Sequence, residues 1–193
     1  MPLKQTPSQT VGPFFAYALT PQQYGYDLRS LFTPVLAEPH AEGEHVRIAG
    51  RVLDGAGEPV GDAMIEIAQA DGAGRRPRSR EEAAALGFRG FGRAGTAADG
   101  SYGFLTVKPG AAGDGQAPHV DVIVTMRGLL NHVFTRIYFE DLAEANASDP
   151  VLAQVPAPRR ETLIARRDPT PAGIVYRFDI RMQGERETVF FDL

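Results

Sequence analysis

The chain has 193 residues, a formal net charge of −4 and no cysteine. No apolar run reaches the roughly 18 residues that a membrane span needs, and no secretory signal follows the amino terminus, so we predict one soluble, cytoplasmic domain with no membrane partner. The lack of cysteine excludes disulfides, a thiolate metal site and a cysteine nucleophile. Positive and negative charges are interleaved, which argues against a nucleic-acid partner.

From Val46 onward, apolar and polar residues alternate with period two between turns rich in Gly, Asp and Pro. This alternation is typical of antiparallel strands. It predicts an all-β fold, an antiparallel β-sandwich of about eight strands. The candidate strands are 46–53, 63–70, 101–107, 119–126, 132–139, 161–166, 175–182 and 188–191.

Two other stretches, 80–86 and 141–147, have the composition of short helices within loops. Residues 1–45 are rich in proline and aromatic residues and have little periodicity, which favours an extended amino-terminal arm. Because its aromatic side chains would be costly to leave in water, we expect the arm to pack on the core and on a partner subunit. The domain proper is then 46–193.

Potential metal ligands cluster at one place, where strand periodicity puts His119 and Asp121 on one face. With His132 from the next strand they would form the 2-His-1-carboxylate set of an Fe(II) oxygenase. The alternative, which we favour, is a hydrogen-bonded structural pair. Arg127, at the end of the same strand, is interpreted either as a carboxylate-binding residue or as a surface ion pair.

Several short segments carry a family resemblance. The amino-terminal segment is TPSQTVGPF at 6–14, and the core segments include GRVLDG at 50–55, AQADG at 68–72 and DGSY at 99–102. The later ones include TVKPG at 106–110, APHVD at 117–121, TRIYF at 135–139 and ETVFFD at 187–192. In this order, and over almost the whole chain, they resemble the intradiol ring-cleavage dioxygenases of the protocatechuate 3,4-dioxygenase type.

Members of this type pair homologous α and β sandwiches, and the catalytic chain binds a non-haem Fe(III) through two tyrosines and two histidines. In this chain an arginine replaces the first tyrosine within 72–77, and 111–114 contains no second tyrosine. His119 is retained, but Asp121 stands where the second histidine belongs. The resemblance therefore implies an α-type chain with no metal ligands and no catalytic residue of its own, and Fe(III) bound by the β subunit.

The resemblance also implies that the α chain lines the substrate pocket of its partner. The implied substrate-binding residues are Thr10, Gly12 and Pro13 of the amino-terminal loop, together with Arg127. The expected reaction of the α/β hetero-oligomer is cleavage of a small aromatic substrate, 3,4-dihydroxybenzoate, by O₂ to 3-carboxy-cis,cis-muconate. Two alternatives stay open: a purely structural assembly subunit with no part in the pocket, and the independent Fe(II) oxygenase.

Overall fold

The computed structural model of the chain describes residues 4–113 and 115–192. Asp114, at the end of the segment in which a second tyrosine was sought, lies outside the described residues. The described helices are α1 Pro13–Leu19, α2 Arg80–Leu86 and α3 Ala143–Ser148, with 3₁₀ turns at Pro21–Tyr24, Glu140–Leu142, Leu152–Gln154 and Ala157–Leu163. The strands are β1 His45–Leu53, β2 Met64–Gln69, β3 Phe91–Gly95, β4 Ser101–Val107, β5 Val120–Thr125, β6 Val133–Phe139, β7 Ile164–Thr170, β8 Gly173–Arg177 and β9 Ile180–Arg181.

The β-rich fold is confirmed, but the prediction of eight antiparallel strands is wrong in two respects. The described strands form a nine-stranded mixed sheet in the order β3-β2-β5-β6-β7-β8-β1-β4, with β9 also pairing with β1. β1 runs parallel to β8 and β9, and β6 runs parallel to β7. A parallel neighbour needs a long crossover, and between β6 and β7 the helical turns that follow Phe139 supply it.

The hydrophobic core contains side chains from both halves of this strand order. Ile48 of β1 and Phe104 of β4 belong to the same buried cluster as Ile67 of β2 and Val122 of β5. The alternation that predicted the strands therefore places every second residue of β5 in this core. The intervening residues of β5, including Asp121, point to the other face of the sheet.

Some boundaries match the predicted elements and others differ for local reasons. Strand 101–107 and helix 80–86 have the expected limits. The predicted strand 175–182 is split into β8 and β9 because Phe178 turns its carbonyl towards the Tyr102 hydroxyl, which donates to it at 2.6 Å. Residues 161–163 belong to a 3₁₀ turn, and 188–191 contributes only an isolated bridge between Phe191 and Phe134.

The amino-terminal segment is less extended than predicted, since it contains α1 and the turn Pro21–Tyr24. It packs on the sheet through Phe32, whose ring lies edge-on to Phe91 at 4.6 Å between centroids. Gln23 adds a hydrogen bond from its side-chain amide to the carbonyl of Thr96 at 2.6 Å. Phe14, by contrast, is 82% exposed. Within the described part of the chain, no helix combines the length and the apolar character that crossing a bilayer requires.

Candidate functional site

The candidate metal ligands His119 and Asp121 lie among charged side chains, and we call this group the His119 cluster: His119, Asp121, Arg76 and Arg136. Arg136 lies directly opposite Asp121 in the antiparallel β5–β6 register, and its Nε donates to Asp121 Oδ1 at 3.0 Å. Arg76 Nη2 lies 3.6 Å from Asp121 Oδ2 on the other side. The carboxylate is thus held between two guanidinium groups.

His119 shares the face of Asp121, as the sequence predicted, and is 6% exposed. Its Nδ1 lies 2.7 Å from the carbonyl oxygen of Ala117, to which it donates, and its Nε2 lies 3.5 Å from Asp121 Oδ1. Both ring nitrogens therefore face protein oxygens. The two side chains are neighbours, as the structural pair predicted, but the hydrogen bond of the His119 ring is made to Ala117 rather than to Asp121.

The loop that precedes His119 is fixed by a buried acid that the sequence reasoning did not single out. Asp149 is fully buried and accepts hydrogen bonds from the Tyr138 hydroxyl at 3.0 Å and from the backbone N–H of Ala117 at 2.8 Å. It also accepts from the N–H of Val151 at 2.9 Å and of Leu152 at 2.6 Å. Burial raises the pKa of Tyr138 to about 12, so its hydroxyl remains a donor at neutral pH.

The His119 cluster does not fit a ferric ion. Fe(III) of this type needs hard anionic oxygen donors, whereas the neighbours of Asp121 are guanidinium groups, which repel a cation. Within residues 4–113 and 115–192, no three His, Cys, Asp or Glu side chains are grouped so as to hold a metal ion.

In the Fe(II) alternative the third ligand, His132, lies too far from His119 to share a metal ion with it. The β5–β6 register pairs Val120 with Ile137 and Val124 with Val133, so His132 lies at the opposite end of the hairpin from His119. The two histidines are separated by roughly 20 Å along the strand direction. The ring of His132 instead packs edge-on against Phe134, with 4.8 Å between centroids.

A cavity of about 520 Å³ lies beside the cluster on the same face of the sheet. Phe91, Phe134 and Phe191 give it apolar walls, but its ionisable lining is mainly acidic: Glu66, Asp121 and Asp192 face one arginine, Arg136. Two of these carboxylates are paired with guanidinium groups, Glu66 with Arg93 at 2.5 Å and Asp121 with both Arg76 and Arg136. None of the residues predicted to bind substrate lines this cavity.

The other end of β5 brings together the residues predicted to contact substrate. In the turn that follows β5, the backbone N–H of Gly128 donates to Thr10 Oγ1 at 2.9 Å. Gly128 has φ +89°, a conformation that glycine adopts without strain. Arg127, the preceding residue, donates through Nε to Asp62 Oδ2. We call Thr10, Tyr24, Asp62, Arg127 and Gly128 the Arg127 edge.

Gly12 and Pro13 lie two and three residues after Thr10 in the chain. Gly12 is the residue before α1, and Pro13 is the first residue of that helix, where its missing N–H costs nothing. A side chain at Gly12 would meet no atom of the described residues within 4 Å. The backbone at this point is therefore open to a partner or a ligand.

Asp62 and Tyr24 were not predicted, because no local pattern connects them with Arg127. The pKa of Tyr24 is raised, first by burial and then by the negative charge of Asp62, while Arg127 acts in the opposite direction. The tyrosine is also in edge-on contact with Tyr17, at 4.9 Å between ring centroids. The arm thus contributes two residues to the Arg127 edge, Thr10 through its hydrogen bond to Gly128 and Tyr24 through its electrostatic interaction with Asp62 and Arg127.

The two sites lie at opposite ends of β5. His119 precedes the strand and Arg127 follows it by two residues, so they are roughly 20–25 Å apart along the strand. Arg127 cannot contact a small molecule bound at His119 of the same chain. A substrate bound by Arg127 would need its reactive centre in another chain.

Comparisons with known proteins identify the family. A family model described as "Dioxygenase" matches residues 30–184. The protocatechuate 3,4-dioxygenase alpha chain of Burkholderia cepacia is 62% identical over 99% of this chain and 98% of its own length. The beta chain of the enzyme from the same organism is 35% identical over 76% of this chain and 67% of its own length.

Among solved structures, the dioxygenase domain of a dioxygenase carbohydrate-binding protein fusion from Streptomyces sp. SirexAA-E has the same fold. Its TM-score is 0.60 at 20% identity, and the match covers 93% of this chain and 99% of that one. The resemblance inferred from the sequence motifs is confirmed. This chain belongs to the intradiol ring-cleavage dioxygenase family, in which its relatives include a protocatechuate 3,4-dioxygenase alpha chain.

Proposed function

We propose that this chain is the α subunit of a protocatechuate 3,4-dioxygenase and works in the cytoplasm with a homologous β subunit in a larger hetero-oligomer. The complex would cleave 3,4-dihydroxybenzoate between its two hydroxyl-bearing carbons with O₂, giving 3-carboxy-cis,cis-muconate. The observation that carries the proposal is the 62% identity, over 99% of the chain, to a relative named as an alpha chain of this enzyme.

In this proposal the Fe(III) belongs to the β subunit. Support comes from the His119 cluster, where two arginines occupy the space around the one carboxylate, and from the existence of a separate beta chain among the relatives. No step of the reaction passes through His119 or Asp121. Their role is to hold β5 and β6 together at this end of the sheet.

The contribution of this chain to the pocket comes from the Arg127 edge. Arg127 is 75% exposed in its side chain, and the hydrogen bond to Asp62 uses its Nε rather than its two terminal amino groups. Paired N–H donors of this kind match a carboxylate, which is the charged group of 3,4-dihydroxybenzoate. We therefore assign the binding of the substrate carboxylate to Arg127.

The amino-terminal loop forms the adjacent wall. Thr10 holds the loop against the β5–β6 turn through its bond to Gly128, and Gly12 and Pro13 would face the aromatic ring. The absence of a side chain at Gly12 lets the backbone approach a flat ring closely. Closing this wall would exclude water from the side of the substrate that the β subunit leaves open.

The proposal is tested by expressing the chain alone and with its β partner. We expect stoichiometric iron and protocatechuate-dependent oxygen uptake only in the co-expressed complex. Iron and turnover in the isolated chain would refute the assignment of the metal to the β subunit. If T10A and R127Q complexes had unchanged kinetics, the chain would be a purely structural assembly subunit instead.

A further inference from the structure

We infer that Asp62 is a positioning residue, which holds the Arg127 guanidinium in the orientation that binds the substrate carboxylate. This inference rests on the proposed function, since it assumes that Arg127 contacts substrate. Asp62 lies in the turn between β1 and β2, 65 residues from its partner in sequence.

Arg127 needs such a partner because its side chain is long and mostly exposed. It lies on a hairpin turn, with 75% of the side chain exposed. A free arginine at such a place samples many rotamers, and ordering them on binding opposes affinity. An arginine already held in one orientation binds a carboxylate at a smaller entropic cost.

Asp62 is suited to this role because its own backbone is anchored. The next residue, Ala63, donates its N–H to Thr96 Oγ1 at 3.0 Å and accepts at its carbonyl from the Thr96 N–H at 2.8 Å. The side chain of Asp62 is only 29% exposed. The carboxylate is therefore the fixed member of the pair, and the guanidinium is the member that it restrains.

The atoms used in the contact leave the binding face of the guanidinium available. Asp62 accepts from the Nε–H, so the edge of the guanidinium that is formed by its two terminal nitrogens is left for a second carboxylate. Thr10 fixes the backbone of the same turn through Gly128. Asp62 therefore holds the side chain of Arg127, and Thr10 of the amino-terminal arm holds the backbone of the turn.

A competing role for Asp62 predicts the opposite result. As a simple counter-ion it would reduce the positive potential around Arg127 and weaken the attraction of an anionic substrate. Removing its charge would then lower the KM. Positioning predicts that removing or displacing the carboxylate raises the KM.

The experiment compares Asp62→Asn and Asp62→Glu with the parent αβ complex, using 3,4-dihydroxybenzoate and catechol, which has the same diol but no carboxylate. We expect D62N to raise the KM for 3,4-dihydroxybenzoate by up to about fivefold, the upper range for an exposed ion pair. D62E keeps the charge but displaces it, and should also raise this KM. The kcat for 3,4-dihydroxybenzoate and the KM for catechol should change little.

Asp168→Asn is the matched control, because Asp168 Oδ2 accepts from the Nε of Arg177 at 3.0 Å in a similarly exposed pair on β7 and β8. We expect it to leave both KM values unchanged. An equal effect of D168N and D62N would mean that any lost surface carboxylate acts alike, and would overturn the inference. So would a lower KM in D62N, or equal changes for both substrates.

Arg127→Gln separates failure of the inference from failure of the proposed function. If R127Q raises the KM for 3,4-dihydroxybenzoate and D62N adds nothing in that background, Asp62 acts through Arg127. If R127Q raises it and D62N alone has no effect, only the role of Asp62 fails. If R127Q itself has no effect, the substrate role of Arg127 fails as well.

Discussion

Replacing Asp149 by alanine removes one acceptor group that serves four donors. The side chain is fully buried and accepts from Ala117 N, Tyr138 Oη, Val151 N and Leu152 N at 2.6–3.0 Å. Each buried donor left without a partner costs about 1–3 kcal/mol. Because water can enter the vacated space and satisfy some of them, we expect D149A to lose about 4 kcal/mol of unfolding free energy, a large share of the roughly 5–15 kcal/mol typical of a domain.

Guanidinium chloride unfolding, followed by circular dichroism, measures this loss, with two variants to calibrate it. Tyr138→Phe removes one of the four donors and should cost about 1 kcal/mol. D149N keeps the volume and one acceptor oxygen, so it should fall between Y138F and D149A. A D149A protein within about 1 kcal/mol of the parent, or as stable as Y138F, would show that the four bonds do not act as described.

Three further predictions concern other parts of the fold. Tyr102→Phe leaves the buried carbonyl of Phe178 without its 2.6 Å hydrogen bond and should lower the unfolding free energy by about 1–2 kcal/mol in chemical denaturation. Gly50→Ala would place a methyl group 1.7 Å from the same carbonyl oxygen, so we expect a loss of about 3 kcal/mol or no folded protein in a thermal melt. Burial raises the pKa of Asp141, but the hydrogen bonds from Lys108 and Tyr176 and the positive charge of Lys108 together outweigh it and leave the pKa lowered. A lowered folded-state pKa gives stability that is present above the unfolded value and lost as pH falls through the folded value, so D141N should cost about 0.5–1 kcal/mol at pH 7 and progressively less as the pH falls through the acidic range, when urea midpoints are compared.

The alternation of apolar residues was sufficient to predict most strands, but not their directions. Residues of β5 alternate between core and surface whether the neighbouring strand is parallel or antiparallel, so the pattern could not reveal the parallel pairs of β1 and β6. It also missed β3, whose sequence FGRAG has two glycines in five residues. β3 is stabilised by tertiary contacts instead, such as the ion pair of Arg93 with Glu66 of β2 at 2.5 Å.

Within the candidate site, the sequence predicted groups that are close in the chain and missed those that are not. His119 and Asp121 share a face because they are two residues apart on one strand. Arg127 and Asp62 are 65 residues apart in the sequence. The spacing of apolar and polar residues contains no information about a contact between such distant turns. Family resemblance predicted Thr10 and Arg127 as substrate-binding residues without indicating that they are close to each other. In the structure Thr10 accepts a hydrogen bond from Gly128, the residue that follows Arg127.

The negative charge of Asp121 is balanced within this chain. A carboxylate on this partly buried face loses hydration and needs compensating positive charge. Arg76 and Arg136 supply it, at 3.6 Å and 3.0 Å from the Asp121 carboxylate. This ion pairing stabilises the sheet at one end of β5 but leaves no coordination site, while Arg127 at the other end remains exposed. Under the proposed function, a substrate held at the Arg127 edge is cleaved only when a second chain supplies the reactive centre, which is why we expect activity to depend on the αβ pair.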